Sequence, residues 1–170
     1  MLRTGILSVV VCLFAAGLSH GQDFPKPGPE HKKLQEMVGT WDAVMDMNGQ
    51  KSKVTAVYKP ICEGMFLASD MNGDFAGQKF EGHGIDGYDL NKKEYVSTWI
   101  DNMTSAPMEL RGNFEDKVLV MTGETAGPDG KLMKVKTTAT MKDKDHMTFK
   151  FFMAEGGDQP IFTIEYTRKK

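Results

Sequence analysis

From Gly39 to its C-terminus the chain alternates with a period of two, and no other feature limits its fold as much. Trp41, Ala43, Met45 and Met47 alternate with other residues until Asn48-Gly49, a dipeptide suited to a tight hairpin turn. Strand-like runs follow at 54–58, 65–71, 79–88, 95–101, 108–114, 118–124, 133–141, 146–153 and 161–168. Turn-forming breaks separate many of them, at 91–93, 115–116, 127–130, 142–145 and 156–160. Glycines 82, 84 and 87 in the fourth run predict a bent strand or a close approach of another chain segment. No helix-length pattern lies between the runs, which argues against parallel βαβ units. An antiparallel meander this long must manage its edges, and closure into a barrel removes them. The expected fold is all-β: an antiparallel up-and-down barrel of about ten strands. A sandwich is the alternative.

The segment before Gly39 reads differently. Pro29 suits the first turn of a helix and Glu30 its N-terminus. Leu34, Met37 and Val38 give one apolar face, and Gly39 is a natural stop. The spacing predicts a helix of about two to three turns. Upstream, Arg3, an apolar stretch from Ile6 to Leu18 and the small residues of Ser19-His20-Gly21 have the form of a secretory signal. That stretch falls short of the roughly 20 residues a membrane span needs. The expected organisation is a signal peptide at 1–21, a proline-rich leader at 22–29 and one barrel domain at 30–170. The implied setting is exported, periplasmic or secreted, with no membrane span after cleavage.

Cleavage would leave 20 Lys+Arg against 23 Asp+Glu, a formal charge of −3, with the two signs mixed along the chain. That balance disfavours nucleic acid as a partner. Cys62 would be the one remaining thiol, so no internal disulfide can form, and it reads as a small buried hydrophobe. A monomer or weak dimer is expected.

A short helix, then Gly39-Thr40-Trp41 at the head of the first strand, then an up-and-down barrel resembles the calycin superfamily. That resemblance implies that Trp41 closes one end of the barrel and that a basic residue of the last strand packs over its ring. Arg168, in the closing "EYTRKK", is the candidate partner. The stretches "PGPEHKKLQEMVGTW", "FEGHGIDGYDLNKKEYVSTWIDNM" and "YTRK" also resemble a bacterial family of exported domains of unknown function, placed in the calycin-like group. That resemblance implies a fold and carries no activity, cofactor or catalytic residue.

Methionine dominates the candidate chemistry, with 12 remaining after loss of Met1. Several share strand faces with other apolar residues: Met45 with Met47; Met65 and Met71 with Leu67; Met133 with Met141; Met147 and Met153 with Phe149 and Phe151. Such faces suit either a deformable apolar pocket or ordinary core packing. Thioether binding of copper is disfavoured because only Met45 and Met47 are closely spaced. His83 and His146 are the candidate axial ligands if a haem were bound, but the glycine-rich signature that the haem-binding resemblance requires is missing. Asp70, Asn72, Asp74 and Glu81 match calcium-loop spacing, but Phe75 stands where that loop needs glycine. A hairpin turning at Asn72-Gly73 explains the segment more simply. The carboxylate pairs Asp42/Asp46 and Asp86/Asp89 have no recognisable nucleophile beside them, and Asp89 suits a turn. Zinc catalysis lacks a ligand cluster, and Asn102-Met103-Thr104 matches a glycosylation acceptor pattern that is common by chance.

The expected function is binding, without transformation, of a small apolar or amphipathic molecule inside the barrel. Trp99, Tyr88, Phe80, Met71, Met108 and His83 are the candidate ligand-binding residues, with no cofactor. An envelope interaction protein with a side-chain-filled barrel is the alternative, and an enzyme on the same scaffold is less favoured.

Overall fold

A computed structural model describes residues 24–75, 77–127 and 130–170. The expected signal peptide and the start of the leader lie outside the described residues. Helix α1 spans Pro29–Gln35 and is followed by ten strands. These are β1 (Gly39–Met47), β2 (Gln50–Ile61), β3 (Phe66–Phe75), β4 (Gln78–Asp89) and β5 (Glu94–Asp101). The second half comprises β6 (Met108–Glu115), β7 (Val118–Ala126), β8 (Leu132–Met141), β9 (His146–Met153) and β10 (Phe162–Arg168). Each strand pairs antiparallel with the next, and β1 also pairs with β10, so the sheet closes into a barrel with no free edge.

Several boundaries differ from the sequence reading. α1 ends at Gln35 rather than just before Gly39; residues 36–38 form a tight turn in which the N–H groups of Met37 and Val38 donate to Leu34 and Gln35. β2 and β3 are longer than expected, because pairing in a barrel extends strands past their apolar cores. β3 runs on to Phe75 and β4 begins at Gln78, so the chain does not turn at Asn72-Gly73; Asn72 is a strand residue opposite Glu81. Cys62 is exposed rather than buried. It stands at φ 49° in the short 3₁₀ turn Cys62–Gly64 between β2 and β3, outside the barrel wall.

The two ends of the barrel are unlike. At one end sit α1, the β2–β3 turn, the β4–β5, β6–β7 and β8–β9 connections and the C-terminus. Leu34 buries itself there, Gln35 Nε2 donates to the Gly64 carbonyl at 3.1 Å, and the Tyr95 hydroxyl donates to the Glu30 carbonyl at 3.3 Å. Trp41 is 0 % exposed, and its indole N–H donates to the Met37 carbonyl at 2.8 Å. The Arg168 guanidinium lies 4.0 Å from the Trp41 ring centroid, directly opposite it in the β1–β10 register. The same guanidinium donates to three carbonyls: Lys144 at 2.7 Å, Glu36 at 2.9 Å, and Val38. It thereby ties the α1–β1 turn to the β8–β9 turn. Gly39 explains itself here: its φ of +140° is hostile to side chains, and a Cβ would stand 2.5 Å from Arg168 Nη1. This end is sealed. The hairpins β1–β2, β3–β4, β5–β6, β7–β8 and β9–β10 form the opposite end.

Candidate functional site

The barrel is hollow. A cavity of about 370 Å³ runs inside it and takes its lining from all ten strands and from Met37 beside α1. Seven further methionines line it: 45, 47, 71, 103, 108, 121 and 147. Phe75, Phe80, Phe149, Phe151, Phe162 and Trp99 supply aromatic wall. Two packed clusters contribute to this lining, one centred on β1, β2, β9 and β10 and one on β5 to β8. Unbranched methionine side chains give this wall a deformable, polarizable surface.

Trp99 owes its position to glycine. Gly82 and Gly84 of β4 face inward next to β5, with Gly84 directly opposite Trp99. A Cβ at Gly82 would stand 2.3 Å from Trp99 Cζ2, and one at Gly84 would stand 3.1 Å from Trp99 Cε3. The indole therefore lies against bare backbone instead of filling the lumen. Its N–H donates to Asp101 Oδ2 at 2.8 Å, and Asp101 Oδ1 accepts from the Met103 N–H and the Thr104 hydroxyl. One carboxylate thus fixes both the indole and the β5–β6 loop that carries Met103 and Thr104 at the mouth.

A polar group lies deeper. Asp86 of β4 lines the cavity opposite Ser97 of β5, whose hydroxyl donates to it. Asp86 retains some accessible area, but protein surrounds it and that area belongs to the cavity lining. Burial pushes its carboxyl up to about 6, against the opposing effect of the Ser97 hydrogen bond. Tyr58 of β2 and Tyr166 of β10 also line this region and hydrogen-bond to each other. Burial pushes both phenols well above their ordinary range, and the nearby Asp86 charge adds to the effect. Asp86, Ser97, Tyr58 and Tyr166 thus share one polar part of the lining.

Of the residues singled out in the sequence, Trp99, Phe80, Met71 and Met108 lie together on the cavity wall. Tyr88 does not. It belongs to the sealed end, where its ring meets those of His31 and Tyr95 edge-on. His83 lies on the outer face, because β4 alternates and Gly82 and Gly84 take the inward positions. Its side chain is 45 % exposed, and Nδ1 lies 2.8 Å from Asp70 Oδ1. Asp70 holds the His83 pKa above its ordinary value, and the pairing holds Asp70 below its own. His146 is exposed beside Asp143. Neither histidine lines the cavity. Asp89 accepts the backbone N–H groups of Asn91 and Lys92 in the β4–β5 turn and is separate from Asp86. Among the described residues no cluster of His, Cys, Asp and Glu has the form of a metal site.

Asp86, Tyr58 and Tyr166 were not expected to share one site. Tyr58 and Tyr166 carry no motif, and which face of β4 points inward depends on register. The inward glycines were the available signal. They fix the parity of β4 and so place Asp86 inside.

The structure defines a closed ten-stranded antiparallel barrel with an internal apolar cavity and a polar floor. Residues 26–168 match DUF1579, described as a protein of unknown function, and the chain belongs to that family. Its barrel is similar to the crystal structure of Rv2717c from M. tuberculosis, with a TM-score of 0.57 at 11 % identity, covering 84 % of this chain and 99 % of that one. A redesigned β-barrel, mFAP0, bound to DFHBI, matches at a TM-score of 0.44 and 18 % identity, over 79 % of this chain and 100 % of that one. The first likeness concerns the fold alone, and the second is too distant to carry an argument. No curated protein matches the chain. Among the described residues no helix is long and apolar enough to cross a membrane.

Proposed function

We propose that this protein is an exported binding protein that holds a small apolar or amphipathic molecule inside its barrel. The observation that carries this reading is the cavity of about 370 Å³, walled by methionine and aromatic side chains. Its size falls within the roughly 300–1,000 Å³ common for ligand pockets. A barrel that served only as a scaffold for outer-surface contacts would gain stability by filling this space, since empty apolar volume forfeits packing. The sequence-derived signal at 1–21 supports an exported setting. Binding requires no covalent step: the ligand displaces water from apolar wall, and the mouth at the hairpin end is the way in.

Trp99 gives a direct readout, because it lines the cavity whereas Trp41 is sealed. Titration with 1-decanol should quench or shift tryptophan emission in a saturable way and raise the melting temperature. Linear, non-saturating emission with an unchanged melting temperature would refute the reading.

A further inference from the structure

The charge distribution inside the barrel points to the head group of the ligand. Among the described residues the lining carries two carboxylates, Asp86 and Asp101, and no lysine, arginine or histidine. Asp101 stands near the mouth with both oxygens already engaged by Trp99, Met103 and Thr104. Asp86 is different. It lies deep among uncharged groups, and the one side-chain hydrogen bond that steadies its charge comes from Ser97. A buried carboxylate with so little compensation favours a cation, and an anion brought beside it would meet repulsion in a low-dielectric space. An ammonium head has three N–H donors and no acceptor. Asp86 offers carboxylate oxygens, and the nearby lining adds the hydroxyl oxygens of Tyr58 and Ser69. Aromatic faces along the wall, Trp99 among them, further favour a cation on its way in.

We infer that the cavity selects amphipathic amines, taken head first, with the ammonium on Asp86 and the apolar tail among the methionines, and that it discriminates against fatty-acid-type carboxylates. This rests on the cavity being a ligand site. Every acid, phenol and hydroxyl that faces the head from β2, β3, β4, β5 and β10 is neutral or negative: Tyr58, Ser69, Asp86, Ser97 and Tyr166.

The test compares n-decylamine, 1-decanol and decanoate by calorimetric titration of the full chain at pH 8, where the amine is cationic and Asp86 ionised. The amine should bind about ten- to a hundredfold more tightly than the alcohol, as a charge-assisted hydrogen bond supplies, and decanoate should bind most weakly. Asp86→Asn should abolish the amine's advantage over 1-decanol. Lowering the pH to 5 should shrink the advantage in the parent, because the carboxyl then takes up a proton. Equal binding of amine and alcohol, or tighter binding of decanoate, would overturn the amine assignment while 1-decanol binding upheld the cavity reading. Failure of all three probes to bind would overturn both. The parent's own selectivity needs no variant, so a misfolded Asp86→Asn would leave the inference open to refutation.

Discussion

Replacing Arg168 by alanine should destabilise the barrel more than an end-of-strand arginine ordinarily does. The guanidinium makes hydrogen bonds to the Lys144, Glu36 and Val38 carbonyls and lies 4.0 Å from the Trp41 ring centroid. A hydrogen bond to a charged group is worth about 1.5–3 kcal/mol when desolvated. Two of the three bonds are solvent-exposed and are discounted accordingly. The bond to Val38 is partly buried and counts more fully. The contact with the indole adds about 0.5–1 kcal/mol. The expected loss is about 3 kcal/mol, a fall in urea midpoint of about 1–3 M for slopes typical of small proteins. Arg168→Lys should recover about 1 kcal/mol at most, because an ammonium on a flexible stem cannot reach three carbonyls in a fixed fork. Equilibrium urea melts followed by far-UV circular dichroism would measure both. A midpoint for Arg168→Ala within about 0.3 M of the parent, at equal slope, would refute the idea that this residue clamps the sealed end.

Three further outcomes follow from the same geometry. Trp41→Ala should cost about 3–5 kcal/mol in the same melt, since the indole is wholly buried and holds the Met37 carbonyl; a parent-like melt would exclude a closing role. Gly82→Ala should displace the Trp99 indole into the lumen, changing near-UV circular dichroism and costing about 1–3 kcal/mol; unchanged spectra and stability would show that the glycine makes no room for the ring. Asp86 gives a pH signature without any ligand. Its folded pKa of about 6 lies above the unfolded value of 3.8, so the folded state binds more protons between them. Stability should be fully present below pH 4 and fall as pH rises through 6, by about 1–3 kcal/mol for this group. Asp86→Asn should therefore be the more stable protein at pH 8 and lose that advantage at pH 4; a constant difference across this range would count against a buried carboxyl.

The sequence was most legible where a repeating pattern met a physical requirement. Alternation with short turns and no intervening helix led to an antiparallel meander, and ten strands close into a barrel in the structure. The pairing register at Asn72 was misread because a turn dipeptide inside a long strand looks like a hairpin tip until its partner strand is known. Cys62 was misread because burial statistics for cysteine say nothing about a left-handed turn position. In the candidate site, large apolar residues such as Trp99, Phe80, Met71 and Met108 stood out by type, and the cavity wall contains them. His83 stood out equally, yet one step of register puts it outside.

The sequence by itself determined a chain of alternating strands with a helix before them, because local periodicity and turn chemistry act over a few residues. It also determined that methionine and aromatic side chains would dominate the interior, because composition limits what a core can hold. Only the tertiary structure decided that the interior is hollow, since a void depends on how strands from the whole length of the chain curve around one another. It alone joined Asp86 to Tyr58 and Tyr166, which come from three strands far apart in sequence. It alone laid Trp99 against two glycines of the neighbouring strand, since a contact of that kind exists only once the register is fixed.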